Sequence, residues 1–281
     1  MPATTNILME IPFLLVVVCM LTTIFSNIGC GYMRHVSFKN STCMDIPNQR
    51  SMHEQPMPRA GGAPMALFSI LAIGFLGLVR PNLIPLNWFL TICIGGSLIA
   101  WIGWLDDKAS LPVKTRFAVH IIAAAWAAWQ LLPAETTPLY YFLGAFWVAW
   151  SINFFNFMDG LDGLAGSEAV VIALGAGYIA GRLGLLPSLT VAWVIAAAAL
   201  GFLFWNWPPA RIFMGDAGSG FLGYTLGCLA IGSGTGWQGG FYTFALLLAL
   251  FWVDATFTLL KRMIRRERFW EPHRQHLYQQ A

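Results

Sequence analysis

Charge is scarce in this chain. Only 10% of its 281 residues are Asp, Glu, Lys or Arg, whereas a soluble domain carries about a quarter, and 57% are hydrophobic. Mean hydropathy is +0.63. That excludes an ordinary water-soluble globule and requires an integral membrane protein. Long polar stretches are absent as well. The longest loop, 34–62, is too short for a soluble domain, and no internal repeat or low-complexity tract is present. Cysteine is sparse: Cys19, Cys30, Cys43, Cys93 and Cys228 are odd in number, without metal-ligand spacing, and read as small core residues. No Walker sequence and no GxGxxG after a strand occurs, which excludes the soluble nucleotide-binding folds. The first apolar stretch carries no trustworthy cleavage pattern and is expected to be retained.

What fills the chain is apolar sequence in runs of helix-spanning length. Nine spans are expected, roughly 8–33, 63–80, 87–105, 116–133, 139–155, 167–184, 187–206, 218–236 and 240–260. Barrel strands are excluded by the length of the runs. The expected fold is therefore all-α: one polytopic membrane domain over 1–281, with functional loops at 34–62, 106–115, 153–166, 207–217 and 261–281. Placing the N-terminus outside puts 14 basic residues in the inside loops and leaves Arg80 and Arg182 outside, as the positive-inside rule requires. The formal net charge of +3 then reflects orientation and local anion binding, and gives no argument for nucleic acid.

The same orientation brings five carboxylates to one side: Asp106, Asp107, Asp159, Asp162 and Asp216. Acids at a bilayer edge are costly unless paired, hydrated or metal-bound. Asp106-Asp107 closes a Trp-rich apolar run and is followed by Lys114 and Arg116. Adjacent carboxylates suit Mg²⁺ binding or proton removal from a phosphate; the plainer alternative is helix capping. Asn153-Phe-Phe-Asn-Phe-Met-Asp-Gly-Leu-Asp-Gly-Leu-Ala-Gly166 is the densest segment. Its two Asp-Gly dipeptides force turns. Helical winding would put Asn153, Asn156 and Asp159 near one face. The alternative, a turn and an N-cap, accounts for one Asp-Gly and not for the set. In Arg211-Ile-Phe-Met-Gly-Asp-Ala-Gly-Ser-Gly220, Asp216 opens a span, where helix N–H groups attract anions; alone this reads equally as a cap.

Asp45-Ile-Pro-Asn-Gln-Arg-Ser51, His53 and Pro56-Met-Pro-Arg-Ala-Gly-Gly62 form a rigid loop in which Arg50, His53 and Arg59 could face phosphates, or merely anchor the inside face. The basic run from Lys261 suits lipid headgroups, and His273, Arg274 and His276 suit phosphate or sugar, or plain solvation. Asp254 lies mid-span, with a buried hydrogen bond to a neighbouring helix as the preferred reading over function. His120 reads as a satisfied interior histidine.

Five of these segments, Asp45–Gly62, Asp106–Pro112, Asn153–Gly166, Arg211–Gly220 and His273–Gln279, in this order, resemble the polyprenyl-phosphate N-acetylhexosamine-1-phosphate transferase family. The first and last are more similar to the O-antigen-initiating branch than to the peptidoglycan branch. The resemblance implies that undecaprenyl phosphate attacks the sugar-linked phosphorus of a UDP-N-acetylhexosamine, that UMP leaves, and that Mg²⁺ is required, with Mn²⁺ as the substitute ion. It implies Asp216 as the leading metal ligand, with Asn156 second. Asp106 or Asp107 would orient or deprotonate the lipid phosphate, or attack covalently. Asp159, Asp162 and Asn153 would lie beside the nucleotide, with Phe213 stacked on uracil. Arg116, His273, His276 and Arg59 would touch diphosphate or sugar. It further implies a bacterial plasma-membrane location with a periplasmic N-terminus, a homodimer as family habit, and ten or eleven spans, so that nine would leave the C-terminus short. A transporter with a one-sided acidic site, or an inactive homologue, remains the alternative; no inverted repeat supports the former.

Overall fold

Each apolar run is helical, because a backbone in hydrocarbon must satisfy its own N–H and C=O groups within the segment. The computed structural model describes residues 13–47, 55–236 and 239–265. Its helices are α1 (Phe13–Asn40), α2 (Gly62–Val79), α3 (Leu86–Leu90), α4 (Ser97–Ala109), α5 (Val113–Leu131), α6 (Pro138–Met158), α7 (Leu164–Arg182), α8 (Leu186–Asn206), α9 (Gly215–Gly236), α10 (Gly240–Leu247) and α11 (Ala249–Ile264). A π-helical turn, Thr91–Gly96, joins α3 to α4 as one rod. There the Tyr224 hydroxyl donates to the Thr91 carbonyl at 3.0 Å. Strands β1 (Met44–Asp45) and β2 (Met57–Pro58) pair antiparallel, Met44 opposite Pro58.

Five helices are long and apolar enough to span a membrane: α1, α2, the Leu86–Ala109 rod, α7 and α8. The α10–α11 pair, bent by 70°, makes a sixth if taken as one span. The expected nine therefore divides. Helices α5, α6 and α9 have spanning length, 19, 21 and 22 residues, but lower hydropathy. Lys114 and Arg116 open α5, and Tyr and Trp lower α6 on a hydropathy scale. The low value of α9 has a packing cause: it is buried without a break from Ala217 to Ser233. A helix enclosed by other helices needs little lipid-compatible surface and can carry Gly, Ser and Thr instead.

Small residues let α9 occupy that central position. A Cβ on Gly223 would meet the backbone of Ser151 and Ile152 in α6. In its absence the Ser151 hydroxyl donates to the Gly223 carbonyl at 2.8 Å. Helix α1 runs further than expected, to Asn40. One charged residue accounts for the extension: Arg34 lies over the Phe38 ring at 5.2 Å and the Trp205 ring of α8 at 5.9 Å, so the charge leaves the apolar region on aromatic faces.

Candidate active site

Side chains from the loop after β2 and from α4, α5, α6 and α9 meet where α4 ends and α9 begins. Asp106 and Asp107 lie in the last turn of α4 and are 8% and 3% exposed. Ser110 ends that helix in the left-handed region, at φ 48°. The turn directs the Leu111 N–H back to Asp106 Oδ1 at 2.6 Å.

Asp107 uses both carboxylate oxygens on a different helix. Asp216 N–H donates to its Oδ1 at 2.9 Å and Ala217 N–H to its Oδ2 at 3.1 Å. These N–H groups have no intrahelical acceptor at a helix start, and the α9 dipole favours an anion there. Gly215 makes the approach possible. It adopts φ +73°, and a Cβ there would lie 2.6 Å from the Asp107 carboxylate. Arg59 completes the anchor, donating from Nη2 to the Asp107 carbonyl at 3.1 Å, with Nε 3.9 Å from Oδ1.

Asp106 instead shares a cation with Asp216. One nitrogen, Arg116 Nη1, donates to Asp106 Oδ2 at 2.7 Å and to Asp216 Oδ2 at 2.6 Å. The other Asp216 oxygen accepts from Asn156 Nδ2 at 3.0 Å. The same amide nitrogen donates to Ser219 Oγ at 3.0 Å, and Ser219 donates to the Gly215 carbonyl. Asn156 thus presents its N–H₂ side to the carboxylate and orients it. Asn153, one turn earlier in α6, donates to the Ala149 carbonyl of its own helix and does not join this group.

The second acidic segment is built from turns. Asp159 follows the last residue of α6, and Gly163 opens α7 at φ +74°. Gly163 N–H donates to Asn206 Oδ1, and Asn206 Nδ2 donates to the Ile212 carbonyl, both at 3.0 Å. Asn206, 3% exposed, therefore ties the Asp-Gly loop to the loop before α9. Asp162 Oδ2 accepts the Ala210 N–H at 2.8 Å in an exposed setting. Burial, then the charges of Asp216 and Asp107, push the Asp159 carboxyl well above its ordinary pKa. Phe213 is held at its main chain: its N–H donates to the Pro58 carbonyl at 2.7 Å, and its carbonyl accepts from Gly61 N–H at 3.0 Å.

The structure thus brings Asp106, Asp107, Asp216, Asn156, Arg116 and Arg59 together, with Asp159 within electrostatic reach. It gives Asp162 a turn-forming contact, and Asn153 a bond within its own helix. Arg50, His53, His273 and His276 lie outside the described residues. His120 differs from expectation: its Nδ1 is buried with no hydrogen-bond partner, one turn beyond Arg116. Asp254, buried in α11, accepts at 3.2 Å from Thr258 of its own helix. Two contributors were missed in the sequence. Ser219 stands three residues after Asp216, a helical neighbour spacing. Asn206 is a polar residue closing an apolar run just before a Pro pair.

Among the described residues no three His, Cys, Asp or Glu side chains converge as a metal cluster. Two carboxylate oxygens do converge on one cationic nitrogen, Arg116 Nη1. Mg²⁺ is commonly held by one or two carboxylates, with substrate phosphates and water completing its shell. The Asp106–Asp216 pair fits that donor set.

A bundle of apolar helices with Asp106, Asp107 and Asp216 gathered where α4 meets α9 defines a polytopic helical membrane protein. The chain belongs to glycosyl transferase family 4, whose profile matches residues 89–234. It is 29% identical over 253 residues to a probable undecaprenyl-phosphate N-acetylglucosaminyl 1-phosphate transferase of Bacillus subtilis, covering 84% of this chain and 68% of that protein. It is 31% identical over 210 residues to a decaprenyl-phosphate N-acetylglucosaminephosphotransferase of Mycobacterium leprae, covering 64% and 52%. A shorter match, 45% over 92 residues, joins 33% of this chain to 29% of a phospho-N-acetylmuramoyl-pentapeptide-transferase of Moorella thermoacetica. The chain spans 58% of the length of the Mycolicibacterium smegmatis relative, so it is shorter than several of the proteins it resembles.

Proposed function

We propose that this protein transfers N-acetylglucosamine 1-phosphate from UDP-N-acetylglucosamine to undecaprenyl phosphate at the cytoplasmic face of a bacterial plasma membrane, starting a cell-envelope glycan. A phosphate oxygen of the lipid forms a bond to the sugar-linked phosphorus. The bond from that phosphorus to the oxygen bridging the diphosphate breaks, and UMP leaves with the electron pair. The observation that carries this reading is the convergence of Asp106 and Asp216, from helices distant in sequence, on one cation position in a family 4 chain.

Phosphoryl transfer asks a protein for positioning and charge neutralisation more than for covalent help. Asp216 and Asp106 would hold Mg²⁺, with Asn156 fixing the orientation of the Asp216 carboxylate. When bound, the ion neutralises diphosphate charge and stabilises the departing UMP. Asp107 fixes the start of α9 against the end of α4, so the two ligand carboxylates keep their separation. Arg116 and Arg59 lie at the same edge and suit the diphosphate. Phe213, held at its main chain, would stack on uracil, with Asp159 and Asp162 near the nucleotide. The lipid tail needs no aqueous pocket, because it stays in the bilayer against the apolar helices.

The test is incubation of the purified chain in lipid-containing detergent with UDP-N-acetylglucosamine, undecaprenyl phosphate and Mg²⁺. The expected result is UMP and a polyprenyl-diphosphate-linked N-acetylglucosamine identified by mass, both abolished by a chelator. Passage of the sugar nucleotide into sealed vesicles without UMP release would replace this reading with transport.

A further inference from the structure

We infer that Arg116 is an exchangeable counter-ion: it occupies the divalent-cation position between Asp106 and Asp216 until a donor diphosphate draws it away, so that ion and nucleotide enter together. This rests on the proposed transferase reading and assigns Arg116 a role beyond contact with phosphate.

The geometry at the guanidinium points to exchange. An arginine at a permanent carboxylate site tends to use two nitrogens in a parallel fork. Here a single nitrogen carries both ion pairs, at 2.7 and 2.6 Å. Arg116 Nε is buried and has no hydrogen-bond partner, and neither has His120 Nδ1 one turn further along α5. The arrangement satisfies the carboxylates at the expense of the arginine. Two carboxylates facing one point need a cation between them, and Arg116 supplies one. A divalent ion takes the same oxygens at 2.0–2.1 Å, roughly the Mg²⁺ distance. Both cations cannot hold that position, so the guanidinium must turn aside. A diphosphate offers adjacent oxygens to the fork of guanidinium N–H groups, a bidentate pairing that the single shared nitrogen makes with neither carboxylate here. Donor binding therefore removes the competitor of the ion, and the two binding events are positively linked.

The test measures Mn²⁺ binding to the full-length protein in detergent by loss of the free-ion electron paramagnetic resonance signal, with and without UDP, at mildly alkaline pH. Arg116→Met removes the competing charge. The expected result without UDP is ion affinity about tenfold above that of the unsubstituted protein, within the usual range of coupling effects. UDP should tighten Mn²⁺ binding to the unsubstituted protein and leave the methionine variant nearly unchanged. UDP itself should bind the variant more weakly. Arg116→Lys keeps a charge with a single nitrogen that reaches one carboxylate, and its ion affinity should lie between the two. It carries the test should the methionine variant not survive purification. A Mn²⁺ affinity in either variant equal to or below that of the unsubstituted protein overturns the inference. If the unsubstituted protein makes lipid-linked sugar while the variants show no gain, exchange fails and the transferase reading stands. If the unsubstituted protein neither transfers sugar nor binds Mn²⁺, both fail together.

Discussion

Two segments of this molecule carry Asp in dense polar sequence, and they use it differently. At the α4–α9 junction, Asp106, Asp107 and Asp216 are held against one another by Arg116, Arg59 and the N-terminal amides of α9. In the α6–α7 turn, Asp162 accepts one exposed amide and neutral Asn206 does the tethering. Like charges are gathered at the first place, whereas main-chain amides and a neutral side chain organise the second. Gathering carboxylates costs folding energy unless a cation offsets it, so the junction is where a ligand cation is to be expected. The turn segment is held by neutral groups instead.

The largest effect should come from the carboxylate common to the whole junction. Asp216→Asn removes one of two anionic donors while retaining an amide that Asn156 and Arg116 can still meet in part. Transfer should fall by at least about a hundredfold, since a bound metal supplies several kcal/mol of transition-state stabilisation. Membrane insertion, followed by fractionation and protease accessibility, should not change. Near-normal turnover would remove the distinction between the two segments at its strongest point.

Asp107→Asn should also abolish transfer, but with a second symptom. An amide puts an NH₂ where one of the two accepting oxygens stood, so in this geometry it cannot meet both the Asp216 and Ala217 N–H groups. One buried donor is left unpaired, at a cost of about 1–3 kcal/mol. Thermal unfolding in detergent should show that loss for Asp107→Asn and little loss for Asp216→Asn. Equal stability of the two variants would mean that Asp107 acts chemically and not as the anchor of α9.

In the turn segment the most sensitive residue is Asn206. Asn206→Ala leaves the Gly163 N–H and the Ile212 carbonyl without their buried partner, again about 1–3 kcal/mol. Its activity loss should track its unfolding, so that transfer recovers at lower temperature, whereas that of Asp216→Asn does not. Activity lost at every temperature would make Asn206 part of the chemistry.

Legibility divides along the same line. Every described apolar run appears as helix, because length and hydropathy act locally and the bilayer permits few alternatives. Basic-residue counting puts the acids on one side of the membrane, and the structure brings Asp106, Asp107 and Asp216 together. Pairing was not legible. Nothing local to Asp107 reveals that its oxygens serve amides 109 and 110 residues away. Arg116 was expected at diphosphate or sugar, and its bridging of two carboxylates was not legible, because that depends on the crossing of α4, α5 and α9. Asn206 carried a faint signal, a polar residue ending an apolar helix, which the adjacent Pro pair obscured. The enclosed position of α9 was hidden for a related reason: its Gly content reads as weak helix or weak span, when it marks close packing.

The smallest expected effect sharpens the comparison most finely. Asp162 accepts a single amide at an exposed position, where one substitution costs little stability, within about 0.5 kcal/mol. If the α6–α7 turn forms a wall for the nucleotide and takes no part in bond making, Asp162→Asn should raise the KM for the UDP-sugar several-fold and leave kcat within about a factor of two, the pattern of lost uniform binding. Asp216→Asn should lower kcat instead. The two kinetic signatures distinguish a wall from a reacting centre even though both residues entered the comparison as one acidic cluster. A fall in kcat for Asp162→Asn with unchanged KM would place the turn in the transition state, and the division of labour between the two segments would have to be redrawn.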